Sequence, residues 1–457
     1  MRNFTQGSLL KHMLIFTAPL MLTNTVQAMY ATIDAMWVGK LLGASALAAV
    51  STIMPVIFMS AALIIGLSVA ATIIAGQAYG AGNLELLAKT IISSFMANII
   101  LCSIVSVLGV IFARTLLMLI NVPLSIIDNS TIFMRIIFSG LIFNFITQWY
   151  AGILNGVGNS RTPAIILIIS VIINACLAPV LIRGIWFIPQ LGIAGSALST
   201  IISSFVAVIL CGLHFKRTML HINKRSDYKF DKVLMKRILL LGLPIAAQML
   251  LVSISFVLVI SLVNRFGEKV TAVFGIGSRI DQFAFSIIMA VSSAVSVMSA
   301  QNIGAQFPHR ARQTAYLGVA LSLAVAFLFM NIVLFMPDRL TSIFVSDHSI
   351  MDMTRRYFHY TAWSYIGIAI LFSFQGAVRG AGDAVSALVI VAISMIVFRI
   401  PLCYYLAEHT SLREEGLWLG ILISVFIGAI NFTLYFGSNR WQRKIRVTPQ
   451  KIPEAEL

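Results

Sequence analysis

Long apolar runs constrain this chain more than any other feature. A membrane-spanning helix needs about 20 predominantly apolar residues. Twelve such runs lie near residues 12–37, 47–75, 88–112, 131–154, 162–184, 192–214, 238–264, 270–299, 313–336, 354–378, 384–408 and 416–436. Since 59% of the residues are hydrophobic and only 11% are charged, no soluble core could hide this much apolar surface. The sequence therefore predicts an all-α polytopic membrane protein with twelve transmembrane helices.

The positions of the basic residues predict the orientation in the membrane. Because twelve is an even number, both termini lie on the same side. If that side is cytoplasmic, its segments carry 20 of the 32 Lys and Arg residues, against nine in the opposite segments. This bias fits the positive-inside rule. We therefore expect a multi-pass protein of a prokaryotic plasma (inner) membrane, with both termini cytoplasmic, a lipid bilayer as its surroundings and no nucleic-acid partner, and we expect it to be a monomer.

An internal repeat divides the chain into two halves. GQAYGAG (76–82) matches AQNIGAQ (300–306), and GILNGVGN (152–159) matches GAVRGAGD (376–383), with 224 residues between the members of each pair. Each half holds six spans, so both halves enter the membrane from the same side. The repeat therefore predicts two parallel six-helix lobes related by a pseudo-twofold axis, which is typical of transporters that work by alternating access.

The domain boundaries follow from this repeat and from the longest polar stretch. We predict an amino-terminal lobe over 1–214, a basic cytoplasmic linker over 215–237, a carboxy-terminal lobe over 238–436 and a basic cytoplasmic tail over 437–457.

Asp34 is a carboxylate inside the first apolar run. An ionised carboxylate at the bilayer centre costs about 3 kcal/mol or more, so we expect its helix face to point at protein or a water-filled cavity. Gln27 precedes it by seven residues, close to two helical turns, and shares that face. Asp34 is thus a candidate site for a proton or cation. The alternative is a carboxylate at the outer interface, paired with Lys40.

A series of motifs follows the order of the predicted spans: IDAMWVGKLLGASALAAV after Pro19 in the first span, GQAYGAG after the second, NGVGNSRTP after the fourth, RIDQF in the eighth, AQNIGAQ after it and QGAVRGAGD after the tenth. Taken in this order, these motifs resemble the multidrug and toxic compound extrusion (MATE) family. The resemblance covers nearly the whole chain and is closest to the DinF-like branch of bacteria and archaea. It implies a cation-coupled antiporter that exports drugs and organic cations.

The resemblance also implies site residues. Asp34 and Gln27 fit the first-helix pair of the DinF-like branch, Asn174 its fifth-helix asparagine and Thr200 its sixth-helix threonine, which together line an amino-lobe cavity and bind a proton or sodium ion. This branch often carries a second carboxylate four residues after the asparagine, where this chain has Ala178. Asp34 is therefore expected to work with neutral partners, or coupling lies partly elsewhere.

The second half offers fewer candidates for an ion or substrate site. The carboxy-lobe acids of the NorM-like branch are missing, and the seventh and tenth spans offer Gln248, Ser253 and Gln375 instead.

Asp281 and Arg279 open the eighth span, but residues two apart do not face each other on a helix. We expect Asp281 to pair with Arg399 or Arg135 in a structural ion pair, or to act as a second coupling or substrate-facing carboxylate.

These observations favour a transporter and exclude other classes. No ATP-binding motif, HExxH or GxSxG occurs, so an ion gradient is the expected energy source and we expect no enzyme activity. The seven histidines and four cysteines show no metal-ligand spacing, so we expect no metal site and no cofactor other than a coupling proton or sodium ion. The expected substrate is an amphipathic or cationic small molecule. A lipid-linked glycan flippase is the alternative, with Arg135, Arg279 and Arg399 as its basic residues.

Overall fold

The fold is described from a computed structural model, which covers residues 2–120, 122–184, 189–218, 230–345 and 347–444. Helices account for most of these residues. In the first half they are α1 (Leu9–Leu42), α2 (Ala44–Gly80), α3 (Leu84–Ile111), α4 (Ala113–Leu119), α5 (Leu124–Ser139), α6 (Leu141–Gly156), α7 (Arg161–Arg183) and α8 (Ile193–Thr218). Residues 219–229 of the predicted linker lie outside the described residues.

The second half continues with a matching series. Its helices are α9 (Lys232–Asn264), α10 (Glu268–Gly304), α11 (Pro308–Phe335), α12 (Pro337–Ser342), α13 (His348–Gly380), α14 (Ala384–Glu408, with a π-helical stretch at Ile393–Phe398) and α15 (Glu414–Gly437). A 3₁₀ turn follows at Arg440–Lys444. The predicted basic tail from 445 to 457 lies outside the described residues.

The predicted twelve-span, all-α fold class is confirmed. Among the described residues, eleven helices are long and apolar enough to cross a membrane, and the bent pair α5–α6 supplies the twelfth span. The repeat also appears in the helix ends. α2 and α10 begin and end 224 residues apart, as do α3 and α11, and residues 124–156 correspond in the same way to α13.

The fourth span differs from the expected single helix. It breaks at Gly140, where α5 and α6 meet at an angle of 45°. A Cβ at Gly140 would overlap the side chain of Ile201 on α8, so the break lies where another helix approaches the backbone. The corresponding helix of the second half, α13, is continuous.

The Cα positions group into two compact units. Unit 1 holds Leu22–Ala75 and Asn83–Ala246 together with the start of the chain, and unit 2 holds Asn3–Met21, Gly76–Gly82 and the chain from Ala247 onward. The first part of α1 therefore belongs to unit 2, and the first part of α9 belongs to unit 1. The predicted lobe boundaries, drawn at 214 and 238, stay a prediction.

Two glycines related by the repeat allow a close helix contact within unit 2. The last turn of α2 packs on the end of α10, so a Cβ at Gly80 would overlap the backbone of Gln301, and a Cβ at Gly304 would overlap the backbone of Gln77. The turn after α2 has Gly82 at φ +66°, and its counterpart after α10 is Gln306 at φ +62°. The repeat thus keeps the left-handed turn even where the glycine is absent, at a cost of about 1–2 kcal/mol.

We expect Gly304→Ala to lower the apparent Tm of the detergent-solubilised protein by about 2–6 °C, because overpacking costs about 1–3 kcal/mol. Fluorescence-detected thermal unfolding measures the change. Gly275→Ala on the same helix is the matched control, since a Cβ there meets no described heavy atom within 4 Å. Equal Tm values for the two variants would contradict the close contact.

Candidate functional site

Asp34 lies in unit 1 with a neutral partner. Its side chain is 8% exposed, and its Oδ1 accepts a hydrogen bond of 2.9 Å from the Ser196 hydroxyl of α8. No ion pair of Asp34 occurs among the described residues, with Lys40 or with any other cation. The Asp34 side chain is therefore buried beside a hydroxyl group. The structure does not have the alternative arrangement, a carboxylate paired with Lys40 at the interface.

Ser196 is the first residue of a stripe of hydroxyl groups on α8. Ser196, Ser199, Thr200 and Ser203 follow the i, i+3, i+4, i+7 pattern of one helix face. The hydroxyls of Ser199 and Thr200 donate to the Ser196 carbonyl at 2.7 and 3.3 Å. The sequence analysis selected only Thr200. The periodic serines in GSALSTIISS were the signal that could have identified the whole stripe.

Asn174 joins the same network from α7. It is fully buried, and its Nδ2 donates to Ser199 Oγ at 3.1 Å and to Thr200 Oγ1 at 3.3 Å. Its Oδ1 has no hydrogen-bond partner among the described residues. The structure thus places Asp34, Asn174 and Thr200 on one network of three helices, with Ser196 as the link to the carboxylate. Ala178, where the DinF-like branch often has an acid, is also buried.

Tyr30 connects this network with a cavity in unit 1. The cavity has a volume of about 960 Å³, its open mouth included, and Tyr30 contributes to its wall. The Tyr30 side chain also interacts with Thr200 and Ser203 and lies close enough to Asp34 to sense its charge. Tyr30 is thus one helical turn from Asp34 along α1 and in contact with both the cavity and the hydroxyl stripe.

The cavity wall combines apolar side chains with polar side chains that carry no formal charge. Its lining includes Gln27, Asn144, Thr147 and Gln148, and none of the described residues that line it is Asp, Glu, Lys or Arg. Asn144 and Gln148 are four residues apart on α6 and share a face. Gln27 therefore lines the cavity, whereas Asp34, Asn174 and Thr200, which the resemblance also assigned to an amino-lobe cavity, are not among its lining residues.

Asp281 lies in unit 2 and has partners that the sequence analysis did not anticipate. Its carboxylate accepts hydrogen bonds from the hydroxyls of Tyr357 at 2.6 Å and Tyr365 at 2.5 Å, both on α13. The expectation of an ion pair with Arg399 or Arg135 is wrong for the described residues, since no ion pair there includes Asp281. The tyrosines are eight residues apart and face α10 together, a pattern present in the sequence but not used.

The three arginines expected inside the spans occupy different environments. Arg279 and Arg135 are exposed on α10 and α5. Arg399 is partly buried and donates from Nε to the Ser424 hydroxyl of α15 at 2.8 Å. The structure therefore does not bring Arg279 and Asp281 together, in agreement with their spacing of two residues.

Gln248 is buried and accepts a hydrogen bond from Nη2 of Arg379. Arg379 follows the predicted tenth span (354–378) by one residue, but the structure places it in the last turn of α13. Of the other two polar residues, Gln375 is 1% exposed, whereas Ser253 is exposed and donates to its own helix at Met249 O. No group of His, Cys, Asp or Glu among the described residues could hold a metal ion.

Comparison with known proteins places the chain in a family. The family model MatE matches residues 19–180 and 244–405, one segment in each half and 225 residues apart. The chain belongs to the MatE family. It is therefore a multi-pass membrane transporter rather than an enzyme, with a lipid bilayer as its surroundings and small molecules as its substrates. The resemblance that the motifs indicated is confirmed.

Relatives of known name align with most of the chain. The probable multidrug resistance protein YoeA of Bacillus subtilis is 31% identical over 446 residues, 96% of either chain. The FAD transporter of Shewanella oneidensis is 27% identical over 377 residues, 79% of this chain and 80% of its own. A crystal structure of MATE in the bent conformation superposes with a TM-score of 0.88 at 20% identity over 96% of this chain and 97% of its own, which shows the same fold.

We expect the Asp281 carboxylate and the Tyr357 hydroxyl to stabilise the protein jointly. A hydrogen bond to a charged group contributes about 1.5–3 kcal/mol. In a double-mutant cycle of Asp281→Asn and Tyr357→Phe, the effects on the apparent Tm should therefore be smaller together than their sum. The exposed Tyr404, changed to Phe, is the control. Additive losses would show that the hydrogen bond contributes nothing.

Proposed function

We propose that this MatE protein is a cation-coupled antiporter that exports drugs or organic cations by alternating access, with Asp34 as the site of the coupling ion. One observation carries the proposal. The buried Asp34 carboxylate has a hydroxyl partner and lies one helical turn from Tyr30, which lines a cavity whose described residues carry no formal charge. Such a carboxylate can exchange a proton or cation because no fixed positive charge neutralises it.

The coupling follows from the cost of an ionised carboxylate in an apolar environment. When Asp34 holds a proton or cation, the network of Asp34, Ser196 and Asn174 is neutral. When the site is empty, only hydrogen bonds stabilise the negative charge of the carboxylate. A cationic substrate in the cavity, next to Tyr30, stabilises the ionised form of Asp34 by electrostatic attraction. Ion and substrate therefore bias the same conformational equilibrium in opposite directions, which is the requirement for antiport.

The donor set around Asp34 favours a proton over sodium. A sodium ion needs a shell of several oxygen atoms, whereas the Asp34 carboxylate has one direct protein neighbour among the described hydrogen bonds, the Ser196 hydroxyl. The Oδ1 atom of Asn174 and the other hydroxyls of α8 are further oxygen atoms of the network that could bind a cation. If sodium is the coupling ion, these groups must close in on Asp34 when it binds.

The alternative of a lipid-linked glycan flippase receives less support. A pyrophosphate would need several basic residues facing one cavity, and Arg135 and Arg279 are exposed while Arg399 donates a hydrogen bond to Ser424.

FAD, the cargo in the name of the Shewanella oneidensis relative, is a second candidate substrate. The amides of Asn144 and Gln148 in the cavity favour it, since amides hydrogen-bond to the polar edge of a flavin ring. Uptake assays with labelled FAD test this candidate.

We expect Asp34→Asn to abolish gradient-driven efflux of ethidium, because the amide can neither bind a proton nor hold a cation. Ethidium transport in proteoliposomes, with proton and sodium gradients imposed separately, measures the effect and identifies the ion. The wild-type rate should fall at least about tenfold in the variant under the effective gradient.

Asp128→Asn is the matched control. Asp128 is an exposed carboxylate in an ion pair with Arg114, so its loss should leave efflux within about twofold of the wild-type rate. Wild-type efflux that ignores both gradients, or efflux that Asp34→Asn leaves unchanged, would refute the proposal. Movement of a labelled glycolipid without ethidium efflux would support the flippase.

A further inference from the structure

Arg379 is a guanidinium group in the last turn of α13 whose Nε atom is buried. No carboxylate forms an ion pair with it among the described residues. Asp383, four residues later, caps α14 through the Ser386 amide at 3.3 Å and accepts the Tyr435 hydroxyl. Among the described residues, the Arg379 side chain donates one hydrogen bond, to the neutral side chain of Gln248.

Helix packing holds Arg379 in this position. Gly376 and Gly380 lie four residues apart on α13, and a Cβ at either would overlap α10, at Ser292 or Ser296. Gln375 and Arg379 form the neighbouring stripe, one residue before each glycine. Because the glycines fix α13 against α10, the direction of this stripe is defined, and the 1% exposure of Gln375 shows that its first residue is buried.

Two hydrogen-bond donors remain unused there. A guanidinium can only donate, so its bond to Gln248 Oε1 fixes the orientation of the amide and leaves Gln248 Nε2 as a donor. Gln248 is 1% exposed. Neither Gln248 Nε2 nor Arg379 Nε has a hydrogen-bond partner among the described residues. A partly buried guanidinium and two buried donors, one of them its own Nε, thus belong to one pair of side chains.

We propose that Arg379 and Gln248 form an anion-binding site that takes a carboxylate or phosphate oxygen. Buried charges in proteins are normally paired, and buried donors are normally hydrogen-bonded. An oxyanion satisfies both requirements, because guanidinium and amide N–H groups are its common ligands. The site is independent of Asp34, which lies in unit 1, and goes beyond the proposed coupling function.

Two sources can supply this oxyanion. One is a soluble molecule with a carboxylate or phosphate group, which would extend the substrates from organic cations to zwitterions and anions. The other is the phosphate of a lipid headgroup, since α13 is a membrane-spanning helix and Arg379 is one residue from its end. Both sources share the same chemistry, so the experiment has to separate them.

Thermal unfolding of the full-length protein in a neutral detergent provides the test. Sodium phosphate and sodium acetate are titrated against sodium chloride at constant ionic strength, and phosphatidylglycerol is compared with phosphatidylcholine in a parallel series. We expect a saturable rise in Tm with at least one oxyanion. A rise with phosphate or acetate identifies a soluble ligand, and a rise with phosphatidylglycerol alone identifies a lipid headgroup.

The variants connect this response to the site. Arg379→Gln should weaken the apparent affinity at least about tenfold, whereas Arg312→Gln, which removes a partly exposed arginine of α11 that contacts Tyr316, should keep it. If Arg379→Gln does not fold, Arg379→Lys keeps the charge but loses the Nε donor and should show weaker, measurable binding.

Gln248→Glu is the decisive variant. It places a carboxylate beside Arg379 within the chain, so it should raise the Tm in buffer without oxyanions and remove the response to added phosphate, acetate and phosphatidylglycerol. No response of the wild-type protein to any of the three probes would overturn the proposal. An equal response of the wild type, Gln248→Glu and Arg379→Gln would also overturn it. Neither result bears on ethidium efflux, which depends on Asp34.

Discussion

An ionised carboxylate is stable among apolar helices only if something compensates its charge, and this constraint governs unit 1. Asp34 has a serine hydroxyl for a partner rather than a lysine or arginine. A fixed cation would neutralise the carboxylate permanently and would take it out of any exchange. A hydroxyl stabilises either state only in part, so the site remains able to bind and release a positive ion.

Neutral partners also occur at three further charged residues within the described spans. Asp281 accepts from two tyrosines, Arg399 donates to a serine and Arg379 donates to a glutamine. Two opposite charges at this depth would stay paired with each other, because separating a buried ion pair is costly. Neutral partners leave each charge available to an external ion or ligand. Unit 1 thus offers a negative group and unit 2 a positive one for exchange.

Much of the fold could be predicted from the sequence because it depends on patterns along the chain. The length of the apolar runs reflects bilayer thickness, and the 224-residue repeat requires only that both halves keep the same helix lengths. The break at Gly140 could not be predicted, since it depends on the approach of Ile201 from another helix. A glycine in an apolar run does not by itself indicate a bend.

The candidate site was predictable only in part. Asp34 and Asn174 stand out as polar residues inside apolar runs, and the structure connects them through α8. The partners of Asp281 were mispredicted because opposite charges were preferred over tyrosine hydroxyls, which do not stand out by composition. Arg379 was missed since a charge near a span end is usually solvated, and its burial depends on the glycines that press α13 onto α10.

The most direct test of the account is ion release on substrate binding, measured without a membrane gradient. Ethidium is added to the solubilised protein in weakly buffered solution while an indicator follows protons and radioactive sodium follows bound sodium. The account predicts release of about one proton or one sodium ion per bound ethidium from the wild type and none from Asp34→Asn. Binding of ethidium with no release of either ion, or with equal release from both proteins, would contradict it.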